Sequence, residues 1–374
     1  MMKRSLLILW FITMLGAVGC ALQQRKPAYD GWSLAAPLPV PNSETAVAEL
    51  NGKIYVIGGY PSDRKTVATV QVYDSATDKW QIVASLPMPL NHVMAASANG
   101  KVYAIGGQTT ESSEPDKAGF VDTVYEYDPA ANKWTARAPM PTRRGGGAAA
   151  VVDGKIYVAG GRPPGGADFA VYDPKADRWT TLPNLPTQRN HLAADAIDGK
   201  IYVVGGRFEG GFRSQRTDAV EVFDPKTNQW SKRPSMLRPR GGVNGIAANG
   251  CFHLFGGEGN PEHPYGIYAD HDYYNPVTDA WTHLEDMPIA VHGITGMTRG
   301  QSHRASRAHL GFPSAPLGYE KSNLNRSSHC EWFAEISSIA EPSKIRLNPN
   351  SSRRITVHTL IVSNRESKFH LILR

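Results

Sequence analysis

An apolar run closed by two glycines, GKIYVIGG, occupies residues 52–59. It recurs as GKVYAIGG from Gly100, GKIYVAGG from Gly154, GKIYVVGG from Gly199 and, in worn form, GCFHLFGG from Gly250. Its β-branched and aromatic residues fall on both faces, which predicts a strand covered on both sides. A small apolar run precedes each copy: TAVAEL, VMAASA, GGAAAVV, LAADAI and VNGIAA. The two runs are joined at Asn51-Gly52, Asn99-Gly100, Asp153-Gly154, Asp198-Gly199 and Asn249-Gly250. Such dipeptides accept the positive φ angles of a type I′ hairpin turn. A third run follows (TVQVYD, TVYEYD, FAVYD, AVEVFD, DHDYYN), and a Trp stands seven residues after its aromatic. The pairs are Tyr73/Trp80, Tyr127/Trp134, Tyr172/Trp179, Phe223/Trp230 and Tyr274/Trp281, and each Trp opens a fourth strand that ends in a Pro-rich link.

The glycine pairs begin at Gly58, Gly106, Gly160, Gly205 and Gly256, in steps of 48, 54, 45 and 51 residues. Four antiparallel strands in each unit of about 50 residues predict a β-propeller. The double glycine, the aromatic pair and the period resemble the kelch repeat over roughly residues 30–297. The resemblance implies an all-β, kelch-type propeller with five complete four-stranded blades. It also implies that Tyr and Trp pack between blades while the glycines allow close approach, so these residues read as core. Trp32, in DGWSLAAPLPVP, looks like a fourth strand without its first three. By the same resemblance it would close a sixth blade begun near the C-terminus.

Strand direction alternates, so the fourth-to-first links and the second-to-third links share one face. Between the glycine pair and the third-strand aromatic lie 13, 19, 10, 16 and 16 residues, whereas the other spacings are fixed. Length variation confined to one loop type marks that face as the candidate binding face. After the glycine pairs stand Tyr60, Gln108, Arg162, Arg207 and Glu258. Eight residues before each turn glycine stand Glu44, His92, Gly146, His191, Gly242 and, taking Gly300 as the sixth turn glycine, His292. Two residues earlier are Asn42, Leu90, Arg144, Arg189, Arg240 and Ala290. These positions are expected to ring the channel mouth, either as solvated strand ends or as a pocket for a polar or anionic ligand. The candidate ligand-binding residues are therefore Arg144, Arg162, Arg189, His191, Arg207, Arg240, His92 and His292. The loop GGEGNPEHPYGIYADHDYYNP offers Glu258, Glu262, His263, Asp270, His271 and Asp272. No compact spacing there fixes a metal geometry, so it reads as a solvated acidic loop, and neither a metal nor a cofactor is expected.

The N-terminus sets the expected compartment. Lys3 and Arg4 precede the apolar run Leu6 to Leu15, and small residues follow, the pattern of an export signal over residues 1–19. AVGC, ending at Cys20, resembles the lipobox of bacterial lipoproteins, although Ala17 stands where that family most often has Leu. The resemblance implies lipid on Cys20 and a membrane anchorage in the cell envelope; ordinary cleavage would give a secreted chain. Beyond Cys20 only Cys251 and Cys330 remain, too few for a disulfide framework. The formal charge of +6 lies in the tail: residues 298–374 carry 12 basic and 5 acidic residues, leaving the rest at −1. A near-neutral body has no general pull on phosphate backbones, so nucleic acid is not expected as a partner.

Residues 20–300 are read as the propeller and 301–374 as an atypical basic, Ser-rich tail, disordered or arising from a change of reading frame. The sixth unit starts with MPIAVHGITGMTRG, but no KIYVIGG-like strand follows, and no Asp occurs from residue 298 onward. The sixth blade is therefore expected to be incomplete, with Trp32 lacking a proper partner. Two functions suit this body. One is an exported binding module that holds a protein or glycan ligand on its loop face. The other is a carbohydrate enzyme similar to the N-acetylneuraminate (sialic acid) mutarotases. In that case Glu258 would be the catalytic base and Arg207 and Arg240 would hold the sugar carboxylate. Copper-radical oxidases on kelch propellers need a Tyr–Cys crosslink, and the lone propeller cysteine, Cys251, sits on a core-like strand.

Overall fold

The computed structural model describes residues 32–298, except 111, 113, 163–165, 212–213 and 294, together with strands at 359–363 and 369–373. The chain opens with β1 (Trp32–Leu34) and then builds five blades. Blade one is β2 (Ala46–Leu50), β3 (Lys53–Ile57), β4 (Val70–Asp74) and β5 (Lys79–Val83). Blade two is β6 (Met94–Ala98), β7 (Lys101–Ile105), β8 (Val124–Asp128) and β9 (Lys133–Arg137), with a short helix, α1 (Pro115–Ala118), between β7 and β8. Blade three is β10 (Ala148–Val152), β11 (Lys155–Ala159), β12 (Phe169–Asp173) and β13 (Arg178–Thr181). Blade four is β14 (Ala193–Ile197), β15 (Lys200–Val204), β16 (Val220–Asp224) and β17 (Gln229–Arg233). Blade five is β18 (Asn244–Ala248), β19 (Cys251–Phe255), β20 (His271–Asn275) and β21 (Ala280–His283). In all five sheets the strands pair in chain order and antiparallel.

The hairpin turns have the conformation their dipeptides favour. Asn51 and Gly52 have φ of 55° and 79°, and the other four pairs repeat these values closely. The double glycine marks the place where one blade touches the next. Gly58 has φ 64°, and a Cβ on it would lie 2.2 Å from the Leu90 carbonyl oxygen of the following blade, so only glycine fits.

The core is a series of seams between blades. Tyr127 and Trp134 of blade two share a buried cluster with Tyr55, Ile57, Val70 and Val72 of blade one. Tyr274 of blade five packs likewise with Tyr202, Val220 and Val222 of blade four. Polar ties reinforce each seam: Trp134 Nε1 donates to the Ala84 carbonyl at 2.8 Å and Trp179 Nε1 to Ala138 at 3.0 Å. A further tie hangs on the turn after the third strand. Asp177 Oδ1 accepts from the Tyr172 hydroxyl at 2.6 Å and from the Ala138 amide of the preceding blade's link at 2.8 Å. Asp78 and Asn132 do the same for blades one and two.

The expectation of an incomplete sixth blade is corrected. β22 (Thr295–Thr298) stands against β18 and β2 and completes the inner ring. Outside it come β23 (Thr359–Ser363) and β24 (Phe369–Leu373), and β1 forms the outer edge, giving a four-stranded sheet in the order β22-β23-β24-β1. The sequences TLIVS and FHLIL are rich in strand-forming residues, which suits them to the middle of a sheet. Their polarity is reversed. β22 pairs with β23 in parallel, β23 with β24 antiparallel, and β24 with β1 in parallel. The inner and outer strands thus keep the directions of an ordinary blade, while the middle hairpin enters upside down. Otherwise the proposed tail, like the export signal and Cys20, lies outside the described residues. Cys251 is buried at the start of β19, and the chain's other two cysteines lie outside the described residues.

Candidate functional site at the channel mouth

The six inner strands converge on a channel, and its loop-side mouth is built from one residue per blade, each two positions before an inner strand. These residues are Glu44, His92, Gly146, His191, Gly242 and Gly293, all with positive φ between 51° and 69°. Their backbones form a belt: His92 N–H donates to Glu44 O, Gly146 to His92, His191 to Gly146, Gly242 to His191 and Gly293 to Gly242, at 2.7–3.2 Å. From His92 to Gly242 each amide and carbonyl is used tangentially, so ligand contacts along the axis fall to side chains. Glu44, His92 and His191 are the three belt residues that carry them, and the cavity they line has a volume of about 150 Å³.

Gly146 lies between the two histidines around the belt. A Cβ there would stand 3.1 Å from His191 Cε1 and 3.6 Å from His92 Cδ2, so its absence lets the rings meet edge to face, 5.1 Å apart. Each imidazole is anchored by the residue before it. His92 Nδ1 lies 2.5 Å from Asn91 Oδ1, and His191 Nδ1 lies 2.7 Å from Asn190 Oδ1. The Nε2 atoms face inward. His92 Nε2 is 3.4 Å from Glu44 Oε2, and His191 Nε2 accepts from Arg207 Nη2 at 2.8 Å. The second tier comes from residues after the glycine pairs, which extend the inner hairpins by a further bridge. Arg207 Nη1 donates to Glu258 Oε1 at 2.5 Å, and Arg162 Nη2 donates to Gln108 Oε1 at 2.6 Å.

Burial and charge oppose each other in this cluster. Burial pushes the Glu44 carboxyl up, but His92, His292, Arg207 and Arg162 together outweigh it and hold the group below its ordinary value. His92 is pulled down to about 4 by burial, with Glu44 acting against and the two arginines assisting. His191 falls well below its ordinary value through burial, then through Arg207 and His92. Glu258 is raised, because burial exceeds the pull of Arg207 and His292. The mouth therefore presents two neutral imidazoles, an ionised carboxylate, and a carboxyl of raised proton affinity held by an arginine.

Two family models match the chain: the KLHDC2/KLHL20/DRC7 Kelch-repeats domain over residues 31–206 and the Kelch motif over 188–237. The chain is a kelch-repeat β-propeller. Among curated relatives, alpha-scruin of Limulus polyphemus is 27% identical over 75% of this chain and 32% of its own length. Kelch-like protein terF of Aspergillus terreus is 33% identical over 70% of this chain and 48% of its own length. The chain thus spans about a third to a half of these two relatives. A solved structure titled "Structure of YjhT" is similar in fold, with a TM-score of 0.58 and 19% identity, over 71% of this chain and 90% of that one.

On this kelch scaffold the sequence-nominated residues divide into two groups. His92, His191, Arg162, Arg207 and Glu258 meet at the mouth, joined by Glu44, a ring position outside the candidate ligand-binding set. Arg144, Arg189 and Arg240 are fully buried in the blades and do not reach the mouth. Arg189 donates through Nε to Gly205 O at 2.8 Å, through Nη2 to Val203 O at 3.1 Å, and through Nη1 to Glu221 Oε2 at 2.6 Å. Arg240 spans Gly256 O and Asp272 in the same way, and Arg144 reaches Val158 O and Asp168. The chain leaves the strand ladder at the first glycine of each pair, and these guanidinium groups satisfy carbonyls released there. Asn42 Nδ2 does this for Gly58 O at 3.0 Å.

His292 also shifts. Gly293 occupies the belt position, so His292 is the residue before it and is exposed beside Glu44 and Glu258. The reading of residues 256–276 as a solvated acidic loop holds only for its tip. Asp270, His271 and Asp272 are buried: Arg238 lies 3.0 Å from Asp270, Arg240 and His283 hold Asp272, and His271 contacts His253 at 3.0 Å.

Proposed function

We propose that this kelch propeller is an exported binding module whose loop face holds a protein or glycan ligand, seating one polar group of it in the channel mouth. The observation that carries the reading is the convergence of buried, mutually fixed polar groups on the face that also bears the loops of variable length. Curated kelch-named relatives support a protein partner in general terms. A cavity of about 150 Å³ is smaller than the roughly 300–1,000 Å³ of sites that enclose a whole small molecule, so it suits one group of a larger ligand. Mixed donors and acceptors, with little net charge, suit hydroxyl or carboxylate groups.

The test is binding by the full mature chain to a printed glycan array, alongside photo-crosslinking from Phe208, which is exposed on the loop face. A discrete glycan or protein adduct should be lost at least tenfold in Arg162→Ala/His292→Ala with unchanged melting. Blank arrays and blank crosslinking, or retention by the double variant, would overturn the reading. The exported placement rests on the N-terminal pattern around Lys3, Arg4 and Cys20. Fatty-acid labelling of the protein should vanish in Cys20→Ser if that cysteine carries the envelope anchor, and labelling that persists removes it.

A mutarotase-like activity is the second reading, favoured by Glu258, whose raised proton affinity suits acid–base transfer. Of the two arginines it requires, only Arg207 is at the mouth; Arg240 is bound within blade five.

A further inference from the structure

We propose that Glu44, His92 and His191 form a binding site for a divalent transition-metal ion of the zinc class on the propeller axis, with open positions facing the ligand. The proposal deepens the mouth reading above, and metal content tests it without any ligand.

The first ground is geometric. One ligand atom from each of the three side chains lies within 4.8 Å of the others, a set of two imidazoles and one carboxylate brought together from blades one, two and four. Two histidines and a glutamate leave further coordination positions for water or a ligand oxygen, the arrangement of open metal sites.

The second ground is the tautomer. Arg207 can only donate, and it donates through Nη2 to His191 Nε2 at 2.8 Å and through Nε to Asn190 Oδ1 at 3.4 Å. His191 therefore carries its proton on Nδ1, directed at Asn190, and its Nε2 lone pair accepts from Arg207. His92 repeats the arrangement with Asn91, whose amide nitrogen is engaged by Thr66 Oγ1 at 2.7 Å. Fixing the outer ring nitrogen to an oxygen acceptor is how proteins orient a metal-binding imidazole. His92 Nε2 then faces Glu44 Oε2 at 3.4 Å, a separation that either a proton on Nε2 or a metal cation held by both atoms would bridge. At His191 the Arg207 guanidinium, which also donates to Glu258, occupies the direction a metal would take and has to yield that place on metal binding.

The third ground is the backbone. All six belt residues adopt positive φ, and glycine stands at three of them. Glu and His are strained there, and such strain persists at positions that carry a function. The other Asp/His cluster, Asp270–Asp272–His283, lacks this backbone character, since none of its residues has positive φ, and its carboxylates are already held in ion pairs by Arg238 and Arg240.

The backbone also supplies the test. Replacing His92 and His191 by glycine restores the residue the belt conformation favours, so H92G/H191G should fold. Full-length protein, stripped with chelator and dialysed, is titrated with Zn²⁺ by calorimetry and with Co²⁺ by visible absorption. One equivalent should bind, the Co²⁺ spectrum should report nitrogen–oxygen ligation, and Zn²⁺ should raise the melting temperature. Affinity should fall at least a hundredfold in H92G/H191G and in E44G, with circular dichroism unchanged. Absence of stoichiometric binding to the wild type, or wild-type affinity in H92G/H191G, would overturn the site whatever the ligand experiments give. If a variant fails to fold, loss of the His92 and His191 ring-proton resonances on adding paramagnetic Co²⁺ to the wild type decides, and their persistence overturns it.

Discussion

A positive φ angle reverses the alternation on which strand patterning rests, and this governs what single residues do at the mouth. Arg189 and His191 are two apart, so period-two reasoning points them the same way. His191 has φ 51°, and through that residue the rule fails: His191 enters the channel mouth while Arg189 turns into the blade. The same break separates Arg144 from Gly146 and Arg240 from Gly242. The spacing therefore revealed which residues stand near the mouth but not where their side chains go. It was silent on Glu44–His92–His191 as a set, because ligands from different blades carry no short-range spacing. The arginine clamp has a measurable consequence. Both members of the Arg189–Glu221 pair are buried, at 0% and 1% side-chain exposure. Arg189→Ala would strand the Glu221 carboxylate inside the blade, a loss of about 3–5 kcal/mol, against at most about 1 kcal/mol for an exposed pair. Urea unfolding of Arg189→Ala beside Lys65→Ala, whose partner Asp63 is exposed, should show this contrast. Equal midpoints would mean that the Arg189–Glu221 clamp adds no more to stability than an exposed pair.

At the level of the element, the blade was legible because each of its signals has a local cause. Asn-Gly and Asp-Gly specify the hairpin by their own φ preferences, and the Tyr–Trp spacing follows from the pairing of β4 with β5, where Tyr73 faces Trp80 directly. What joins blades was only half legible. The apolar seam followed from the aromatic pairs, but the polar staple did not. Asp78, Asn132 and Asp177 sit in turns at φ of 53°, 48° and 47°, a conformation Asn and Asp tolerate better than other side-chain-bearing residues. In that conformation one carboxylate or amide oxygen meets its own blade's Tyr and the previous blade's link. A polar residue in an Asp-Pro-type turn looks like ordinary turn chemistry in the sequence, and only the neighbouring blade gives it a second partner. The belt has the same logic, since its amides pair from blade to blade and no single repeat contains the pattern.

At the scale of the whole molecule, the ring has to close, and this is where the sequence misled most. Trp32 was legible as an outer strand because it carries the Trp and Pro-rich link of the other blades. Its partners were not, because the residues after Thr298 lose every repeat landmark, and TLIVS and FHLIL carry neither a glycine pair nor a Tyr-Asp turn. Strand pairing needs only extended backbone with free amides and carbonyls, so a hairpin foreign to the repeat can fill the gap. The parallel pairings of β23 with β22 and of β24 with β1 are the mark of such a substitute. β23 and β24 are the link between the inner strand β22 and the outer strand β1. Removing residues 359–374 should therefore leave two facing strand edges unpaired, on β22 and on β1, and open edges invite self-association. The truncated chain is expected to keep its blade spectrum by circular dichroism but to melt lower than the full chain. It should also elute as concentration-dependent oligomers in size-exclusion chromatography. A truncated chain that stays monomeric with an unchanged melting temperature would mean that the inner belt from Glu44 to Gly293 holds the ring closed without the hairpin.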